Sequence, residues 1–151
     1  MKNLLAASLF GVVLVNSAFA QVQIDDPWVR ATVPQQKVTG AFMRITASDD
    51  SRLVAAQSGL SGKVELHEMV MERDIMKMRP VSALELPAGK AVELKPGAHH
   101  LMLFDLRRPV REGETVSLEL VIERKDGRRE TIRVDAPVRP LHTTNGGDHG
   151  R

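Results

Sequence analysis

The chain has 151 residues, with 21 Lys and Arg against 19 Asp and Glu, five histidines, one tryptophan, no tyrosine and no cysteine. A chain of this length makes one domain with a real core. The missing cysteine excludes a disulfide framework, thiolate zinc, a CxxC redox pair, a cysteine nucleophile and a blue-copper centre. The near-even charge and 3% aromatic content exclude nucleic acid as a partner, because binding it takes a basic face and stacking rings.

Residues 1–20 carry Lys2, an apolar run over 4–15 and the small-x-small triplet Ala18-Phe19-Ala20, the pattern of a secretory signal peptide cleaved after Ala20. An apolar run of about a dozen residues falls short of the roughly 20 that span a bilayer, so no stable membrane insertion is expected after cleavage. No cysteine is present to take a lipid and no twin arginine precedes the run, which predicts export by the general route to a periplasm. Residues 21–138 are then the folded domain.

Past residue 20 no segment sustains a helical apolar period. Short alternating runs recur instead between Gly and Pro punctuation, which predicts an all-β antiparallel sandwich or barrel. Strands are expected over 22–30, 38–46, 52–57, 63–71, 76–81, 91–94, 100–106, 115–124 and 130–138, about nine at sandwich spacing. Turns are expected at Leu86-Pro87-Ala88-Gly89, Lys95-Pro96-Gly97 and Arg111-Glu112-Gly113. In the last hairpin, a two-residue Asp126-Gly127 loop would put the apolar faces out of phase. A three-residue loop Lys125-Asp126-Gly127, with Gly127 left-handed, pairs Leu120 with Ile132 and Leu118 with Val134, and is the form predicted. Residues 139–151 have no apolar pattern and are expected to form a mobile tail.

Five of the seven methionines are Met69, Met71, Met76, Met78 and Met102. Core packing is the plain reading, since methionine fills irregular gaps. The histidines weigh against it. Alternation puts Glu65, His67, Met69 and Met71 on one strand face, and His100, Met102 and Phe104 on one face of another. His99 points opposite to His100, so at most one of them joins Met102. Met76 and Met78 share a face and compete for one role. Neutral thioethers with neutral imidazoles suit Cu(I), whereas Ca²⁺ or Mg²⁺ would call for carboxylates and zinc for thiolates or three histidines.

His67-Glu68-Met69, Met76-Lys77-Met78-Arg79-Pro80 and His100-Leu101-Met102, with ten residues between His67 and Met78 and twenty-one between Met78 and His100, resemble the PCuAC family of periplasmic copper chaperones. Asp26-Pro27-Trp28-Val29-Arg30 and the stretch around Gly113 are also similar, so the resemblance covers about residues 22–138. It implies a cupredoxin-like β-sandwich that holds Cu(I) near its surface by His67, Met78, His100 and Met102. It also implies delivery of copper toward cytochrome c oxidase assembly, with an oxidase subunit or a Sco-type protein as acceptor. Many relatives have a glycine between the first His and the Met pair. This chain reads Met71-Glu72-Arg73-Asp74-Ile75 there, and a different turn is expected. Some relatives take Cu(II) on a His- and Met-rich tail, whereas this tail offers only His142 and His149.

Met69 and Met71 are then expected as apolar cover or relay donors, Trp28 in core or edge packing, and Glu68, Lys77 and Arg79 as surface charges. An enzyme is not expected: no nucleophile set is present, and Gln21 stands where a copper monooxygenase would need histidine. Two rivals stay open, a periplasmic copper storage or resistance protein and a metal-free sandwich acting through its edge strands.

Overall fold

The structure, a computed structural model, describes residues 21–142. The proposed signal segment with its cleavage site, and most of the tail including His149, lie outside the described residues.

Ten strands follow in order: β1 (Val22–Arg30), β2 (Thr39–Ala47), β3 (Ser51–Gln57), β4 (Ser61–Glu72), β5 (Ile75–Pro80), β6 (Leu84–Leu86), β7 (Ala91–Leu94), β8 (His100–Leu106), β9 (Thr115–Arg124) and β10 (Arg129–Arg139). Their ladder runs β5-β4-β8-β2-β1-β10-β9-β3-β6, with β7 on the far end of β2. It folds over so that its inner faces meet in one apolar core. Val29, Ala41, Met43, Ile45, Leu101 and Leu103 come from one half, and Leu53, Leu118, Leu120, Ile122 and Val134 from the other. Alternation drives this: in β9 Val116, Leu118, Leu120 and Ile122 are buried while the residues between them are half-exposed.

The closing hairpin has the expected form. Leu120 lies opposite Ile132 and Leu118 opposite Val134, Arg124 N–H donates to Arg128 O at 2.8 Å, and Gly127 has φ 84°. Three features differ from expectation or refine it. β6 is an extra strand of three residues beside β3, running into the turn expected at residue 86. β1 and β10 pair in parallel, Val29 with Val138 and Arg30 with Arg139, in an otherwise antiparallel ladder, so β10 extends one residue into the expected tail. The β4–β5 turn has two residues, Arg73 and Asp74, both left-handed at φ 50° and 62°. That is the type I′ geometry, reached here without glycine.

Candidate metal centre

The register of β4 on β8 sets His67 opposite His100 and Glu65 opposite Met102. All four lie on the outer face of the sheet, because Val64, Leu66, Leu101 and Leu103 occupy the inner face. An outer-face histidine is ordinarily wet, yet His67 is only 8% exposed and His100 only 5%. Aromatic neighbours provide the cover. The Phe104 ring lies 5.8 Å from His67, the Phe42 ring 6.4 Å from His100, and the two imidazoles are 5.8 Å apart, centroid to centroid. Trp28 stacks on Phe42 at 4.4 Å, and the Arg30 guanidinium lies 5.3 Å from the Phe42 ring centroid. Trp28 therefore serves in packing, and its link to the histidines runs through Phe42. Gly40, opposite Met102 on β2, makes room: a Cβ there would sit 2.8 Å from Phe42 Cζ.

Hydrogen bonding divides the nitrogens of each ring. His67 Nε2–H donates to Glu65 Oε2 at 2.7 Å, and His100 Nδ1–H donates to Ala98 O at 2.9 Å. Those acceptors assign the protons. The remaining atoms, His67 Nδ1 and His100 Nε2, are buried with no partner. A neutral imidazole keeps a lone pair at such an atom, and a metal is the partner that suits it. Burial pushes the His100 pKa down; the Ala98 bond opposes this, and the neighbouring His67, His99 and Arg30 reinforce it. The Lys63 ammonium, bonded at 2.7 Å, and then His67 hold the Glu65 carboxyl below its ordinary value.

Met102 follows His100 by two residues on this face and stands diagonal to His67. Met78 stands diagonal to His67 on the opposite side. It sits on edge strand β5 opposite Met69, one same-face step beyond His67 toward the turn, and is 53% exposed. Thus the register sets His67 and His100 side by side, with Met102 and Met78 each one diagonal step from His67 on opposite sides, and Met78 the more exposed of the set. Met76 is a further step away, opposite Met71. His99 is on the other face, 3.5 Å from Glu68. Lys77 and Arg79 pair there with Glu72 and Glu68 at 3.3 and 2.7 Å, as expected of surface charges. His142 is exposed after β10.

The parts least visible in the sequence are Glu65, the Ala98 carbonyl and the ring cover from Phe42. Glu65 alone had a signal, its two-residue spacing from His67. Among the described residues no three His, Asp or Glu side chains converge as a metal site; the protein donors nearest the pair on this face are the thioethers of Met102, Met69 and Met78. One surface groove, lined by Arg52, Glu85, Glu123 and Asp126 among others, lies away from it and contains neither His nor Met.

Fold and site together define a β-sandwich of the PCuAC class, with a buried histidine pair on its outer face and methionines around it. The chain belongs to the LpqE-like family, "Putative lipoprotein LpqE-like", which it matches over residues 22–138. It is 30% identical over 125 residues to "Putative lipoprotein Lxx21020" of Leifsonia xyli subsp. xyli, covering 82% of this chain and 73% of that one. The structure is similar to the copper-bound PCuAC domain from PmoF2, with TM-score 0.64 and 25% identity over 82% of this chain and 96% of that one. It is also similar to the Cu(I) form of DR1885 from Deinococcus radiodurans, with TM-score 0.57 and 28% identity over 87% and 85%. The PCuAC resemblance drawn from the sequence is borne out.

Proposed function

We propose that the protein is an exported Cu(I) chaperone. In this reading His67, His100 and Met102 form the base of the site, and Met78 is the donor supplied by the β4–β5 arm. The observation that carries it is the pair of buried imidazoles, each with one nitrogen bonded to an acceptor and the other left without a partner. Each such buried atom costs about 1–3 kcal/mol when unsatisfied. A metal-free module would bear that cost with no return, whereas a copper carrier recovers it on loading. The copper-bound state of the PmoF2 domain and the Cu(I) state of DR1885 support the same cargo.

Four neutral donors leave Cu(I) with its single charge and release no proton from a thiol on binding. The site sits on an outer face beside an edge strand, where an acceptor's ligands can replace its own one at a time. The function is therefore metal carriage by ligand exchange, without turnover. Delivery is toward cytochrome c oxidase assembly, to an oxidase subunit or a Sco-type protein. The signal-like residues 1–20 support export to a periplasm, as does the lipoprotein name of the Leifsonia relative.

The test is transfer. Cu(I)-loaded protein mixed with an apo-acceptor should pass its metal faster than it releases copper to a non-interacting chelator. Transfer no faster than that release would contradict delivery and favour storage.

A further inference from the structure

Beyond His67, strand β4 outruns β8, whose pairing begins at His100, so residues 68–79 stand out from the sheet as a two-stranded arm. One face of this arm is all methionine on its two outer rows. Met69 lies opposite Met78 and Met71 opposite Met76. The other face carries Val70, Ile75 and the ion pairs Glu68–Arg79 and Glu72–Lys77. A two-residue turn makes Glu72 and Ile75 the hydrogen-bonded pair that closes it. The bond from Val81 N to Leu66 O at 2.9 Å keeps the same phase. Both methionine pairs therefore occupy non-hydrogen-bonded positions, where facing Cα atoms are only about 4.5 Å apart. Successive rows on one face are about 7 Å apart.

Packing does not account for these residues. Met71 is 64% exposed and Met76 48%, so the apolar burial that normally retains a methionine is forgone. An exposed apolar edge also invites strand pairing. What the arm presents is a double row of flexible, soft, neutral sulfur donors. The row begins at the solvent end and stops one step from the His67–His100 pair.

We propose that Met71 and Met76, completed by Met69, form a second Cu(I) site, made of thioethers only, through which copper enters and leaves the histidine site. The proposal rests on the copper reading above, but the binding itself needs no histidine. Three thioethers suit Cu(I) and poorly serve hard cations. Transfer inward is an exchange of dative bonds. Sulfur of Met71 and Met76 is released as Met78 and then the ring nitrogens bind, the metal stays Cu(I), and no electron or proton moves.

The experiment is an anaerobic titration of the purified protein with Cu(I), with Ag(I) as a second probe, reading methionine methyl signals by NMR and stoichiometry against a competing chelator. Wild type should take two equivalents. The Met71 and Met76 methyls should shift with the weaker one, and those shifts should persist in His67→Ala/His100→Ala. Met71→Leu/Met76→Leu should keep the tight equivalent, lose the weaker one, and load from a Cu(I)–chelator complex at least about tenfold more slowly. Methyls of Met71 and Met76 that stay unmoved in both wild type and the histidine variant would overturn the proposal. Shifts at Met71 and Met76 without any tight equivalent in wild type would support the arm site while removing the histidine reading.

Discussion

Glu65 holds the central contact on which copper affinity should depend without touching copper itself. Its carboxylate accepts from His67 Nε2–H at 2.7 Å, which keeps the lone pair on Nδ1, the buried atom without a partner. Loss of such an orienting carboxylate typically costs 10–100-fold in metal affinity. The low end applies here, because the Glu65 side chain is 29% exposed and shared with Lys63. Glu65→Ala should therefore weaken Cu(I) binding about tenfold, or about 1.4 kcal/mol. Glu65→Gln should fall between, since its amide oxygen still accepts but carries no charge. The assay is chelator competition at neutral pH, with ¹⁵N NMR of the imidazoles to read the tautomer, a signal that a purely structural role would leave alone. Equal affinities in all three proteins, or a His67 tautomer unchanged in Glu65→Ala, would refute the reasoning.

Gly40→Ala should destabilise the fold by about 1–3 kcal/mol, because its Cβ meets Phe42 Cζ at 2.8 Å and Trp28 and Arg30 box that ring in; urea unfolding checks this, and unchanged stability would mean that Phe42 moves aside freely. Asp74→Gly should raise stability by about 0.5–1 kcal/mol by relieving the left-handed φ of 62° at the arm's turn, read as a higher urea midpoint. Arg52 and then Arg129 hold Glu123 below its ordinary pKa. A depressed folded value means that this stabilisation is present above the unfolded carboxylate pKa, about 4.3, and is lost as pH falls through the folded one. Glu123→Gln should therefore melt lower than wild type at neutral pH and lose less on acidification, as thermal melts across pH 3–7 will show.

The sequence was legible where structure is local. Alternation placed β1, β7, β8 and β9 to the residue, and parity alone chose the three-residue loop at Gly127 over the two-residue one. Leu84–Leu86 escaped because three residues carry almost no period and Pro87 and Gly89 follow at once. The parallel pairing of β1 with β10 joins residues more than a hundred positions apart, and no local pattern encodes it. For the candidate site, His67, His100 and Met102 were readable as one face from spacing. The placement of Met78 on the exposed arm, diagonal to His67, was not, because it depends on a two-residue turn built on Arg73 and Asp74 in place of glycine. Nor were the orphaned nitrogens, which exist only once Glu65 and the Ala98 carbonyl have claimed the other side of each ring.

The most direct test of the copper reading is X-ray absorption on protein loaded with one equivalent of Cu(I). Two imidazole nitrogens together with thioether sulfur in the first shell are predicted, and His67→Ala/His100→Ala should lose the nitrogen contribution along with the tight equivalent. A sulfur-only shell in wild type, or tight binding that survives removal of both histidines, would contradict the claim that this pair is the seat of the metal.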